Sequence, residues 1–409
     1  MTDTNSQKIE EILKRGSSEV IVEEHLKERL ASGEKLRIKF GIDPTGNLLH
    51  LGHAVCLMKL REFQEAGHQV IFLIGDFTAR IGDPTGRTNA RAPLGEKQIK
   101  ENMRDYVKQA ALILNMKKVE IRYNSQWWNK MDLREMMQLA MKVTYSQVSA
   151  REDFKKRLAE DKDFTLEEFL YPVLQGYDSV ALKADVEIGG TDQKFNMLMG
   201  RQIQKRYNQN SQDVITIPIL EGLDGKEKMS KSLRNFIAII DKPHEMYGKI
   251  MSLPDFLTLR YFELCTRISM QELADIKDKL ANGNNPRDIK ARLAKEIVKM
   301  YHGDKKAAEA EEEFNKVFRD KELPSDILVF QISKNNYLIS DLLFDAKMVA
   351  SKKEAKRLVE GGGVQIEIPN PNDQTPKRIK IQNWREEIKL EDGMIIKVGS
   401  RKFIKIKNK

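Results

Sequence analysis

Cysteine is almost missing from this chain: Cys56 and Cys265 are the only two among 409 residues. That is too few for a disulfide framework, and a reducing compartment is the expectation. No run of about 18 apolar residues occurs, which argues against a membrane-spanning helix. The opening stretch, MTDTNSQKIEEILKRG, is charged and helically spaced, unlike the apolar core of a signal peptide. A cytoplasmic protein with no membrane attachment is therefore expected. Internal repeats and low-complexity blocks are also absent, which excludes solenoids and compositionally biased tracts. No Ser/His/Asp or Cys/His arrangement suggests a covalent nucleophile, and no Cys or Asp/Glu set has metal-ligand spacing.

What remains is a balance of 40% apolar and 32% charged residues, usual for a globular protein. The length predicts two or three domains. The formal net charge is +9, unevenly placed. From Asp341 to Lys409 there are 16 Lys and Arg against 10 Asp and Glu, an excess of six. A basic segment that also carries apolar spacing fits a small polyanion-binding domain.

Two charged helical patterns, about Ser6 to Arg15 and Glu19 to Leu30, precede LRIKFGI, whose alternation predicts a strand. Leu51, Val55, Met58 and Phe63 then fall at helical spacing before Gly67. The continuous apolar run VIFLIGD predicts a strand covered on both faces, and VEIR, ADVEIGG and DVITIPI follow between helical segments. This alternation predicts an α/β fold with a doubly wound parallel nucleotide-binding sheet, followed by a helical domain and a small C-terminal α+β module.

Such sheets bind ligands where strand ends meet helix starts. There lies GIDPTGNLLHLGH, Gly41 to His53. A helix start offers unpaired N–H groups and the positive dipole end to phosphate. His50 and His53, three apart, share one side of it, and Gly52 leaves room for a flat group such as adenine. A metal pair or ordinary helix-start residues are the alternatives. After the last predicted strand comes GLDGKEKMSKSLRN, with Lys226, Lys228 and Lys231 on a glycine-containing loop able to close over a polyphosphate.

HLGH and KMSKS together resemble the two signatures of class I aminoacyl-tRNA synthetases. GIDPTGNLLHLGH, GDFTARIGDPTGR, YPVLQGYD, EIGGTDQKFN and KMSKS occur in the order and spacing of bacterial-type tyrosyl-tRNA synthetases, over essentially the whole chain. The resemblance implies ATP as substrate, with Mg2+ carried by it, and assigns Thr45, His50 and His53 to the phosphates. Lys228 and Lys231 would be the mobile-loop lysines, and Arg87 and Arg91 would lie on a facing loop. Asp43, Gly190 and Asp192 would hold adenosine, with Gly41, Gly52 and Met229 beside the nucleotide. Tyr171, Gln175 and Asp83 would grip the ammonium of tyrosine, and Asp178 would receive its phenol hydroxyl. Thr78, Asn124 and Gln193 would line the same pocket. The residues themselves agree at YPVLQGYD, where Tyr171, Gln175 and Asp178 share one helix face and place polar groups among apolar neighbours that need partners.

One departure stands out. Where the family often has a tyrosine that helps hold the phenol, this chain has Lys39. A buried ammonium is costly unless paired, so either Lys39 points away or another residue completes the contact, and specificity rests more on Asp178.

The resemblance also implies a catalytic domain over residues 1–240, whose helical insertion at about 127–169 forms a homodimer interface. It implies a helical anticodon-arm domain over 241–335 and an RNA-binding module over 341–409, with Lys352, Lys353, Lys356 and Arg357 facing tRNA. Tryptophanyl enzymes share both signatures, but YPVLQGYD and the basic module favour tyrosine.

Overall fold

The computed structural model describes residues 2–85, 94–163, 165–318, 327–332, 334–369, 377–399 and 402–408. The chain divides into two compact units, Met1–Ala307 and Ala308–Lys409.

The first unit is organised by a six-stranded sheet: β1 (Glu19–Ile21), β2 (Arg37–Ile42), β3 (Gln69–Ile74), β4 (Val119–Tyr123), β5 (Val186–Gly190) and β6 (Asp213–Ile217), in the order β1-β6-β5-β2-β3-β4. β2 to β6 run parallel, and β1 is antiparallel to β6. From β2 the chain winds outward through β3 and β4, then returns to β5 and β6 on the other side. The winding therefore reverses between β2 and β5, which opens a crevice beyond their carboxyl ends. β3 is buried from Val70 to Ile74, as its unbroken apolar run requires. The helix Leu51–Glu65 packs across β2, β3 and β5.

The strand and helix expectations hold, with one difference. Glu19 to Leu30 was expected to be helical, but Glu19–Ile21 forms the edge strand β1 and the helix spans Glu23–Ala31. The β-branched pair Val20 and Ile21 suits pairing with Ile215 and Val214 of β6, and Val22 at φ 64° turns the chain into the helix.

Lys39 sits in the middle of β2 with no solvent exposure. Its ammonium meets Glu187 Oε1 at 2.9 Å and donates to Ser179 Oγ at 2.7 Å. Glu187 is its register partner on β5 and also accepts from Gln212. The ammonium is thus paired beneath the pocket and makes no hydrogen bond to Asp178.

Residues 125–182 add the short helices Ser125–Trp128, Leu133–Ala140, Tyr145–Ser149 and Glu152–Ala159, then the long helix Leu166–Leu182. The helices Pro243–Met251, Thr258–Cys265, Met270–Ala281 and Pro286–His302 complete the first unit.

The second unit contains a five-stranded sheet in the order β10-β9-β12-β13-β7. Its strands are β7 (Leu328–Ile332), β9 (Val364–Ile368), β10 (Lys377–Lys380), β12 (Ile395–Val398) and β13 (Lys402–Asn408). β8 (Asn336–Leu338) and β11 (Glu387–Lys389) form a separate pair. The helix Lys352–Glu360 is capped by the Ser351 hydroxyl, which accepts from Glu354 N at 3.2 Å. Ala355 and Val359 face the core, so Lys352, Lys353, Lys356 and Arg357 are exposed.

Removing one partner of a buried ion pair leaves an uncompensated charge, typically at a cost of about 3–5 kcal/mol. Lys39→Met is expected to destabilise the chain on that scale in denaturant unfolding, while Lys39→Met combined with Glu187→Gln recovers most of the loss. Equal stabilities for the two variants would show that the pair is not a unit.

Candidate active site

The loop after β2 is held down by the helix Glu96–Ala110. Asn102 Nδ2 donates to Pro44 O at 2.8 Å and Gln109 Nε2 to Asn47 O at 2.8 Å, while Gln109 Oε1 accepts from Leu49 N at 2.7 Å. Asn102 and Gln109 are buried, so these backbone groups have fixed partners. Thr45 and Gly46 are therefore carried at the strand end by a braced loop.

His50 is the N-cap of the helix Leu51–Glu65, and His53 lies one turn in. Their rings lie tilted at 36° with centroids 3.8 Å apart, and His53 Nδ1 accepts from His50 N at 3.2 Å. Burial, with the Lys231 cation adding to it, lowers His50 to about 3 and pushes His53 well below the imidazole range. Both rings are neutral at physiological pH and can offer N–H groups, not charge. Among the described residues no cluster of three His, Cys, Asp or Glu side chains is arranged to hold a metal ion.

The lysine loop lies against this helix start. Asn235 Nδ2 donates to Asp224 Oδ2 at 2.6 Å and Asn235 Oδ1 accepts from Ser230 N at 2.8 Å, which ties the two arms of the loop together. Met229 is buried, and Lys228 Nζ reaches Asp192 Oδ2 at 3.2 Å, just beyond β5. Lys231 Nζ approaches so closely that a Cβ on Gly46 would lie 2.8 Å from it. The structure thus brings together His50, His53, Lys228 and Lys231, with Gly46, Gly52, Gly190, Asp192 and Met229 around them, while Gly41 and Thr45 lie on the strand end and loop that lead to them. Arg87 and Arg91 lie outside the described residues.

A second cluster sits deeper, between the ends of β2 and β3 and the helix Leu166–Leu182. Asp43 Oδ1 accepts from Thr78 Oγ1 at 2.8 Å, and Asp43 Oδ2 from the Tyr171 hydroxyl at 2.9 Å. A Cβ on Gly75 would stand 2.1 Å from Asp43 Oδ1, so only glycine fits beside that contact. Asn124 Nδ2 donates to Thr78 Oγ1 at 2.9 Å and to Asp178 Oδ2 at 3.3 Å. Asp178 Oδ1 accepts from the indole N–H groups of both Trp127 and Trp128, each at 2.9 Å. Asp83 accepts from Gln193 Nε2 at 2.6 Å and meets Arg151 Nη2 at 3.4 Å. Asn196 Nδ2 donates to Gln175 Oε1 at 2.8 Å and to Gln193 Oε1 at 3.1 Å.

Residues 5–319 match the family of class I tRNA synthetases for tryptophan and tyrosine (W and Y). The chain belongs to this synthetase family. It is similar to a tyrosine–tRNA ligase of Carboxydothermus hydrogenoformans, 47% identical over 97% of both chains. It is also similar to one of Moorella thermoacetica, 45% identical over 97% of this chain and 94% of the other. Among solved structures, a C-terminally truncated mitochondrial tyrosyl-tRNA synthetase of Aspergillus nidulans aligns at TM-score 0.65 and 25% identity, over 76% of this chain and 94% of that one. A tyrosyl-tRNA synthetase of Archaeoglobus fulgidus, solved with L-tyrosine, shares the fold at TM-score 0.61 and 24% identity, over 76% of this chain and 100% of the other.

In this synthetase burial raises the proton affinity of two carboxylates in the deep cluster, Asp43 and Asp178. Withdrawal from solvent pushes Asp43 up to about 7, against the hydrogen bonds from Thr78 and Tyr171 and with the charges of Asp83 and Asp178 adding to it. Burial likewise pushes Asp178 up to about 6, opposed by the Lys39 cation and by the donors Trp127, Trp128 and Asn124. Asp43, which the resemblance places at the adenosine, bonds to Thr78 and Tyr171, which the resemblance places at the amino acid.

Four contributors are not marked by the sequence motifs: Trp127, Trp128, Arg151 and Asn196. The tandem tryptophans directly after the strand end at Asn124 were the legible signal, since buried indoles seek acceptors. Arg151 had none, because its approach to Asp83 depends on how the inserted helices fold back.

An acid whose folded pKa is raised binds its proton more tightly in the fold than in the unfolded chain. Between pH 4 and 7 the folded state therefore holds more protons at Asp43, and its contribution to stability falls as pH rises, by up to about 1.4 kcal/mol per pH unit. Asp43→Asn is expected to raise the unfolding midpoint at pH 8 more than at pH 5. An equal effect at both values would mean that Asp43 titrates normally.

Proposed function

We infer that the chain is a tyrosine–tRNA ligase: it joins tyrosine to ATP as tyrosyl-adenylate, releases pyrophosphate, and passes the tyrosyl group to the 3′ end of its tRNA. The observation that carries this reading is the acidic pocket. Asp43, Asp83 and Asp178 with Tyr171 and Gln175 form a site short of positive charge, suited to the ammonium of an amino acid. At its far end Asp178, oriented by two indoles, keeps Oδ2 available to a phenol hydroxyl beside Asn124.

In the first step a carboxylate oxygen of tyrosine attacks the α-phosphorus of ATP, and the bond to the β-phosphate oxygen breaks. The nucleophile is already ionised, since an α-carboxyl titrates near ~3.5, and no enzymic base is needed. Catalysis then rests on positioning and on charge aimed at the leaving phosphates. Thr45 and the neutral His50 and His53 supply hydrogen bonds, while Lys228 and Lys231, with Arg87 and Arg91, supply positive charge. Gly41, Gly52, Gly190, Asp192 and Met229 line the nucleotide side. Mg2+ would arrive with ATP, because that ion prefers phosphates and water to a protein cage. In the second step a ribose hydroxyl of the terminal nucleotide attacks the tyrosyl carbonyl and AMP leaves.

The three-part organisation, with a catalytic part to about 240, a helical part after it and a basic C-terminal module, is part of the same proposal, with the difference that β7, expected in the helical part, pairs with β13 in the sheet of the second unit. Lys352, Lys353, Lys356 and Arg357 on one exposed helix face suit a phosphate backbone. A two-fold dimer is supported by apolar side chains standing in solvent on the inserted helices: Leu133 is 78% exposed, Met141 84% and Leu166 73%. Large apolar patches of this kind mark interaction surfaces.

Pyrophosphate exchange into ATP across the twenty amino acids tests the reading. Tyrosine is expected to drive exchange, while phenylalanine leaves Asp178 buried without the hydroxyl it would accept from. Exchange driven by tryptophan and not tyrosine would overturn the assignment.

A further inference from the structure

Tyr106 belongs to neither of the clusters that the sequence motifs define, yet it joins them. It lies on the helix Glu96–Ala110 with no solvent exposure. Its hydroxyl accepts from Lys231 Nζ at 3.0 Å, and the ammonium stands 5.3 Å from its ring centroid. The ring is also 6.5 Å, centroid to centroid, from that of His53. Asn102, Tyr106 and Gln109 fall at i, i+4 and i+7, one helix face. The outer two hold the backbone of the loop after β2, and the middle one holds the loop lysine.

We propose that Tyr106 is a positioning residue for adenylate formation, setting the Lys231 ammonium against Gly46 so that the lysine loop and the loop after β2 are registered from one helix. The inference rests on the tyrosine–tRNA ligase reading, in which Lys231 meets charge on the departing pyrophosphate. A lysine side chain on an exposed loop loses rotamer entropy when ordered. The phenol reduces that cost at the moment of reaction by holding the ammonium in place beforehand, through a charge-assisted hydrogen bond. Tyr106 acts through Lys231 and touches neither substrate.

The test is a double-mutant cycle on the full chain. Single-turnover formation of tyrosyl-adenylate and the dissociation constant of tyrosine are measured for the wild type, Tyr106→Phe, Lys231→Ala and the double variant. Tyr106→Phe keeps the ring that fills the core and removes only the hydroxyl. It is expected to slow adenylate formation about tenfold, with tyrosine affinity unchanged to within about twofold. In the Lys231→Ala background the same substitution is expected to change the rate by less than about twofold, because the partner through which it acts is gone. An equal loss in both backgrounds would overturn the proposal, as would an unchanged rate in the wild-type background or loss of the fold. Failure of the underlying reading is distinguishable, since the wild type would then form no tyrosyl-adenylate.

Discussion

Carboxylates drawn out of water hold on to their protons, and the deep pocket of this enzyme places Asp43 and Asp178 in that condition beside a third carboxylate, Asp83. Asp43, Asp83 and Asp178 arrive on separate segments of the chain, yet the charges of the other two act on Asp43. Each is oriented by donors that are themselves fixed: Thr78 and Tyr171 for Asp43, Gln193 for Asp83, and the two indoles for Asp178. The cluster is thereby prepared for a positive group that the protein largely withholds. Arg151 stands at the edge, and the Lys39 ammonium below is committed to Glu187.

The rest of the first unit can be understood as what holds that cluster beside a phosphate site. The reversal of winding between β2 and β5 places the loop after β2 and the turn after β5 at one crevice. Asp43 lies on the first of these two segments and bonds to Thr78 and Tyr171, so one short segment joins the helix start to the deep cluster. The neutral histidines complement the acids: burial strips His50 and His53 of charge, so the positive charge beside them comes from lysines on a loop braced by Asn235 and Asp224.

Much of this was legible in the sequence because it depends on local patterns. The period of β2 to β6, the helix after HLGH and the polar face of YPVLQGYD follow from spacing that the fold keeps. The edge strand β1 was missed because three residues between charged helical patterns carry little periodicity, and pairing with β6 decides their state. Lys39 could not be resolved either, since its partner Glu187 lies on a strand far along the chain and only sheet register brings them together. Arg151, Asn196 and Tyr106 were invisible for the same reason: single polar residues on helices acquire meaning only from what the tertiary packing sets opposite them.

The central claim is that the pocket waits for the ammonium of tyrosine. Calorimetry of tyrosine binding at pH 6.5, repeated in buffers of different ionisation enthalpy, reads the protons exchanged on binding. At that pH Asp43 and Asp178 are partly protonated, with values near 7 and near 6. An arriving ammonium favours their ionised forms, so the account predicts net proton release. Zero exchange or proton uptake would contradict it.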